Sequence, residues 1–358
     1  MSQSFAKIRV IAVAVSRSSR SFLHPYSFQT LCISNLSRAT MGDDFAAGVR
    51  KLAKKCNSFF HEGSSRKDCV GFFIDGAQVG FIRPAIVQKF KQYTDVFDVV
   101  DKGASGGDAS RPAGVHLSQS LTTPNQRTEA VNGVLEKMRD QNDLVALRGW
   151  YNEKYKVAKS FSSEDLMLVE RAAAPLFGIV TYGTHINGYT YNDSGELLMW
   201  IAVREKTKAT YPGMYDNLCA GGLAAELEVL ECAWKECQEE ASIDDELLED
   251  LKSVGTVSYC LEDERGVMPE CEFIFDLELP QDFKPVCSDG EVDSFQLLPL
   301  SKVKELIIQD NFKPNCALIV LDFLIRHGFI TADSDPEYCF MVEQIHTPLH
   351  SLFSSPTS

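Results

Sequence analysis

The chain has 358 residues, is 44% hydrophobic and carries a net charge of −15. That length and apolar content can fill one large core or two ordinary ones, which excludes wholesale disorder. The negative balance argues against a nucleic-acid backbone as the main partner. It leaves room for a small anionic ligand whose charge is met by a metal ion and a few local cations.

Eleven scattered cysteines with no CxxC pair suit buried thiols in a reducing compartment better than a disulfide framework or a zinc site. No apolar run approaches ~18 residues, so no membrane span is expected. The first acidic residue is Asp43, preceded by Lys7, Arg9, Arg17, Arg20 and Arg38 among many serines. Residues 1–40 therefore read as a transit peptide or a disordered leader, directing the chain to the mitochondrion or another organelle. Met41 offers a second start and with it a cytosolic form.

From Asp44 to about Phe60 apolar residues recur at helical spacing. CVGFFIDGAQVGFIRP then reads as two strands around a glycine turn, closed by Pro84. VQKFKQY is helix-like, Asp101 to Gly114 is an exposed Gly/Ser/Asp loop, and Arg127–Asp140 is an amphipathic helix. LMLVERAAAPLFG is expected to be helical. THINGYTYN and LLMWIAVRE form a hairpin around Asp193-Ser194-Gly195, and TVSYCLED and CEFIFDLEL form another. NCALIVLDFLIRHG is an apolar helix ended by Gly328. Strands and helices mix without regular βαβ alternation, which predicts an α+β sandwich.

Ala220 to Ile243, AGGLAAELEVLECAWKECQEEASI, carries the chemistry. On a helix, Leu230, Ala233, Trp234, Cys237 and Ala241 line one apolar stripe. Glu236, Glu239 and Glu240 cluster at i, i+3 and i+4 on another face, where like charges repel. A hard divalent cation turns that repulsion into coordination. The pair Gly221-Gly222 lets a backbone carbonyl approach the same ion. An acidic triplet alone is more often a solvated helix face. Here it follows a glycine pair, has Lys235 just before it and lies between strands.

Together these features resemble the Nudix box, G-x5-E-x7-R-E-U-x-E-E-x-G-U. Lys235 stands where the box has Arg, Ser242 where it has Gly, and the loop is one residue shorter. Glu226 and Glu228 both compete for the place of the isolated glutamate. The short loop, with YGTHINGYTY, REKTKATYPGMYDNLCAGGL, Asp289–Phe295 and FKPNCALIVLDFLIRHG, resembles the thiamine-diphosphate-hydrolysing branch related to thiamine pyrophosphokinase. Gly149-Trp150, Asn152-Glu153 and Glu170–Ala173 resemble that branch's N-terminal accessory domain.

The resemblance implies a Nudix α/β/α sandwich over 171–335, a smaller α+β accessory domain over 41–170 and a tail over 336–358. It implies Mg2+, with Mn2+ as a substitute, held by Glu236, Glu239, Glu240, the Gly222 carbonyl and Glu291. Lys235 takes the place of the orienting arginine, and Glu239 or Glu236 activates water. Glu291 is equally an ordinary turn acid. Arg204 is the candidate phosphate clamp, whereas Lys206 and Lys208 read rather as a solvated loop. His185 and Asn187 are expected to line the cavity, although a strand histidine is more often a satisfied core residue. Trp150, Tyr151 and Tyr182 either stack on a flat ring or pack the core.

The implied reaction is Mg2+-dependent cleavage of thiamine diphosphate, or of oxo- and oxythiamine diphosphate, to a monophosphate and phosphate. The alternatives are a nucleoside-diphosphate derivative as substrate and a Nudix-fold module that only binds. The sequence is silent on oligomeric state.

Overall fold

The computed structural model describes residues 35–101 and 111–353. Most of the expected leader, residues 1–34, and positions 102–110 of the expected Asp101–Gly114 loop lie outside the described residues. Helix α1, Asn35–Cys56, buries Phe45, Val49, Leu52 and Cys56 at i, i+4, i+7 and i+11, one stripe of a 3.6-residue repeat.

The accessory domain is built on a four-stranded sheet. It comprises β1 (Val70–Ile74), β2 (Ala77–Ile82), β3 (Phe97–Val100) and β4 (Gly114–Leu117) in the order β2-β1-β4-β3. Asp75 and Gly76, both at positive φ, make the tight turn between β1 and β2. α2 (Pro84–Phe90) and α3 (Pro124–Asp140) cover the sheet, closing a core around Phe72, Ile82, Phe90, Phe97, Leu135 and Phe177. Thr123 starts α3 by a capping box with Gln126. A two-stranded ribbon, β5 (Lys154–Val157) with β6 (Met167–Glu170), leads toward the second half.

Here one expectation is corrected. MLVE is strand β6, not helix: it pairs with β5, and Met167 and Val169 alternate into the core while Leu168, opposite Lys156, lies on the half-buried other face. Only a 3-10 turn, Arg171–Ala173, and α4, Ala174–Phe177, are helical, and Gly178 in the left-handed region stops them.

The second half is a seven-stranded sheet of β7 (Thr181–Tyr191), β8 (Leu197–Arg204), β9 (Tyr215–Asp216), β10 (Cys219–Gly222), β11 (Lys252–Glu262), β12 (Val267–Glu278) and β13 (Val292–Pro299). Its path is β11-β12-β7-β8-β13, with β10 on β7 and β9 on β8, and β7 runs parallel to β12. Both expected hairpins are present, β7–β8 and β11–β12.

α5 (Val229–Ala241) and the short α6 (Asp245–Leu248) cover one face. α7 (Leu300–Leu306), α8 (Pro314–Arg326) and α1 cover the other. Gly48 of α1 lets Ile308 approach so closely that a Cβ would lie 2.5 Å from it. The first helix thus seals the core of the second half as well as opening the first. α9 (Tyr338–Gln344), within the expected tail, packs Met341 and Ile345 into the same core. This is a mixed α/β/α sandwich with a separate N-terminal domain.

Candidate active site

The acidic helix, α5, begins at Val229, after Cys219–Gly222 have formed strand β10, paired with β7. Glu228 caps α5 in a box with Glu231. Ala233, Cys237 and Ala241 are buried as expected, but Leu230 is 51% exposed and Cys232 takes its place inward. Leu230 lies in the helix's first turn, where α5 has only begun to meet β10. Ser242 ends the helix at φ 51°, the conformation in which the box pattern has glycine, and its hydroxyl donates to Val286 O at 2.7 Å.

The carboxylates sort into three environments. Glu240 is buried, and its Oε2 accepts the Ala220 N–H at 2.8 Å. Burial pushes its carboxyl well above the usual range, and Glu236 and Asp216 add to this. Glu236 lies against β10 so tightly that a Cβ on Gly221 would sit 2.1 Å from its Cδ. Burial raises it too, opposed by Lys235. Glu239 faces outward, paired with Lys235 Nζ at 2.9 Å; the same ammonium reaches Glu236 Oε1 at 3.3 Å. Glu291 stands on a neighbouring loop, ion-paired with Lys208.

The expected substrate contacts fall elsewhere. Arg204, His185 and Asn187 are all buried in a polar network on the α8 face of the sheet. Arg204 donates to Asp216 at 2.8 Å and to the Thr210 carbonyl, and Lys313 reaches Asp216 at 3.2 Å. His185 Nδ1 lies 2.9 Å from Asn217 Oδ1, and Asn217 in turn donates to Asn187. Lys206 and Lys208 lie on the loop after β8, outside this network.

Glu270 and Glu272 complete the network around the Tyr259 hydroxyl. Burial pushes Glu270 up to about 7, with Glu272 adding to it. The Tyr259 hydroxyl faces both carboxylates and, having a single proton, donates to one of them at a time. Neither glutamate was singled out above. The signal was there: Glu270, Glu272 and Asp276 alternate with Cys271, Phe273 and Phe275 along β12, a polar face on a strand whose other face is apolar.

The aromatic candidates divide likewise. Trp150 is tied to Asn152 Oδ1 at 3.0 Å and lies under Arg139. Tyr182 packs with Phe161 and Phe273. Tyr151 is 45% exposed.

The donor set around β10 suits a hard cation: carboxylates, carbonyl oxygens and a glycine strand that leaves no room for a Cβ. Among the described residues no three His, Cys, Asp or Glu side chains are gathered closely enough to hold a metal by themselves.

Fold and site together define a hydrolase of the Nudix class. Family models agree, with a Domain of unknown function (DUF4743) over residues 48–181 and a NUDIX domain over 181–316. The chain is 38% identical over 300 residues to Nudix hydrolase 20, chloroplastic, of Arabidopsis thaliana, covering 83% of this chain and 77% of that protein. Nudix hydrolase 24, chloroplastic, of the same plant is 38% identical over 266 residues, covering 74% and 69%. Among solved structures, DR0079 from Deinococcus radiodurans aligns over 48% of this chain and 98% of that one, at 15% identity and a TM-score of 0.36. The chain belongs to the Nudix hydrolases and is a diphosphate hydrolase of that family, whose members generally use divalent metal ions.

Proposed function

We propose that this enzyme removes the terminal phosphate from thiamine diphosphate or from its oxidised relatives, oxo- and oxythiamine diphosphate, leaving the monophosphate. The observation that carries the hydrolytic site is the seating of Glu236 against Gly221 and of Glu240 on the Ala220 N–H. Glu236, Glu240 and the Gly222 carbonyl would hold Mg2+ (or Mn2+), with Glu239 and Glu291 as outer candidates. When bound, the ion supplies charge neutralisation to the diphosphate and acidity to a water. Glu236 or Glu239 orients or deprotonates that water, and Lys235 fixes both carboxylates.

The thiamine-type organic part is supported by the long stretches that resemble that branch. An acidic surround with few cations also suits an organic group that is itself positively charged. The acid-free N-terminus, together with two relatives named chloroplastic, supports an organelle leader, mitochondrial or other.

Phosphate release by the full chain with Mg2+ tests this reading, over thiamine, oxothiamine and oxythiamine diphosphates, ADP-ribose, NADH and coenzyme A. Turnover confined to the thiamine group and lost in Glu240→Gln is expected. Turnover of nucleotides alone overturns the substrate, and no turnover at all overturns the site.

A further inference from the structure

The accessory domain reaches the box strand with its own side chains. A Cβ on Gly222 would lie 1.9 Å from the Tyr155 hydroxyl and 3.4 Å from Arg171 Cζ, so both side chains stand directly over that glycine. The backbones are joined there as well, Ala225 N–H donating to the Lys154 carbonyl at 2.8 Å. Arg171 is close enough to Glu236 to stabilise its negative charge.

Much of the local chain serves to place this one guanidinium. Arg171 Nη1 donates to Glu153 Oε2 at 2.7 Å, and its backbone N–H donates to the Glu153 carbonyl at 2.8 Å. Its Cζ lies 4.7 Å from the Tyr151 ring centroid. The buried Glu170 carboxylate takes the N–H groups of Tyr151 and Ala172, locking the two segments together. Asn152 adopts φ 59°, the left-handed region that asparagine tolerates better than most residues, between Tyr151 and Glu153. Among the described residues Glu153 is the one side chain that accepts from Arg171, and the arginine side chain keeps 35% of its surface open. A planar fork with free N–H groups over the glycine strand, within electrostatic reach of Glu236, is suited to phosphate oxygens.

We propose that Arg171 of the accessory domain is a substrate-contacting residue of the hydrolase site, binding the diphosphate that the box carboxylates and their cation hold from the opposite side. The proposal rests on the reading that a diphosphate is cleaved at β10 and α5. Glu153 and Tyr155 are then positioning residues, and the two domains form one active site.

The test compares wild type, Arg171→Ala, Arg171→Lys and Glu153→Gln in the full chain. The readouts are KM and kcat on the best diphosphate of the panel, and calorimetric binding of methylenediphosphonate with Mg2+. Arg171→Ala should raise KM and weaken methylenediphosphonate about 10- to 100-fold. Arg171→Lys should recover part of the loss, and free guanidinium should partly rescue Arg171→Ala. Arg171→Ala and Glu153→Gln could instead lower the melting temperature alike while KM and methylenediphosphonate affinity stay at wild-type values. The pair would then be only a domain tie, and the proposal overturned. A wild type that neither hydrolyses nor binds a diphosphate would overturn the hydrolytic reading itself, which separates the two failures.

Discussion

The two faces of the large sheet solve opposite problems with charge. On the α8 face, Asp216 meets Arg204 and Lys313, and Asp276 meets Arg326 and the ring of His327, so each of these two buried aspartates has a cation in hydrogen-bond reach, while Glu270 and Glu272 share the Tyr259 hydroxyl. On the α5 face, Lys235 is divided between Glu236 and the outward-facing Glu239, and among the described residues the buried Glu240 has only the Ala220 N–H as its hydrogen-bond partner. Buried charge is tolerated only when paired. A balanced cluster is complete without a ligand; an unbalanced one asks for a cation from outside. Burial alone would not have separated them, since Asp216 and Glu240 are both almost fully covered. The number of opposing charges does.

Substitutions should break the two faces differently. Asp216→Asn strands Arg204 and Lys313 in the interior and should lower stability by about 3–5 kcal/mol in urea unfolding. A loss under about 1 kcal/mol would mean that the network is not the structural element assigned here. Glu240→Gln retains an oxygen to accept the Ala220 N–H and removes a repelled charge. It should leave stability near wild type while kcat falls roughly a hundredfold.

The acid limb of the stability curve gives a finer test. Burial alone would raise the Asp276 carboxyl, but hydrogen bonds from Arg326 and His327 outweigh it and hold it below the ordinary value. A depressed folded-state pKa contributes stability that is fully present above the unfolded value, near 3.9, and is lost as pH falls through the folded one. Asp276→Asn should therefore flatten the drop in unfolding free energy below about pH 4; an unchanged acid limb would remove Asp276 from the balanced face. The smallest effect belongs to Leu230→Lys. This residue is exposed in the first turn of α5, so stability should change by no more than about 0.5 kcal/mol. A larger loss would place it back in the apolar stripe.

Alone, the sequence determined the local features. Period-two alternation and turn residues identified the β1–β2, β7–β8 and β11–β12 hairpins, and helical spacing identified α3 and α8. The box spacing put Glu236, Glu239 and Glu240 on one helix. These are interactions over a few residues, which spacing records directly. The misreading of LMLVE had the same origin: a short apolar run fits either period, and only pairing with β5 decides.

Tertiary structure alone decided which charges cancel. Arg204, His185 and Asn187 look available in the sequence, yet partners such as Asp216, Glu272 and Lys313 come from β9, β12 and the start of α8 and close around them. Arg171 was legible only as part of a four-residue resemblance. Its place over Gly222 follows from a ribbon folding back across 51 residues of chain onto β10. Charge balance and active-site membership depend on distances in space between segments far apart in the chain, and no spacing within one segment encodes them.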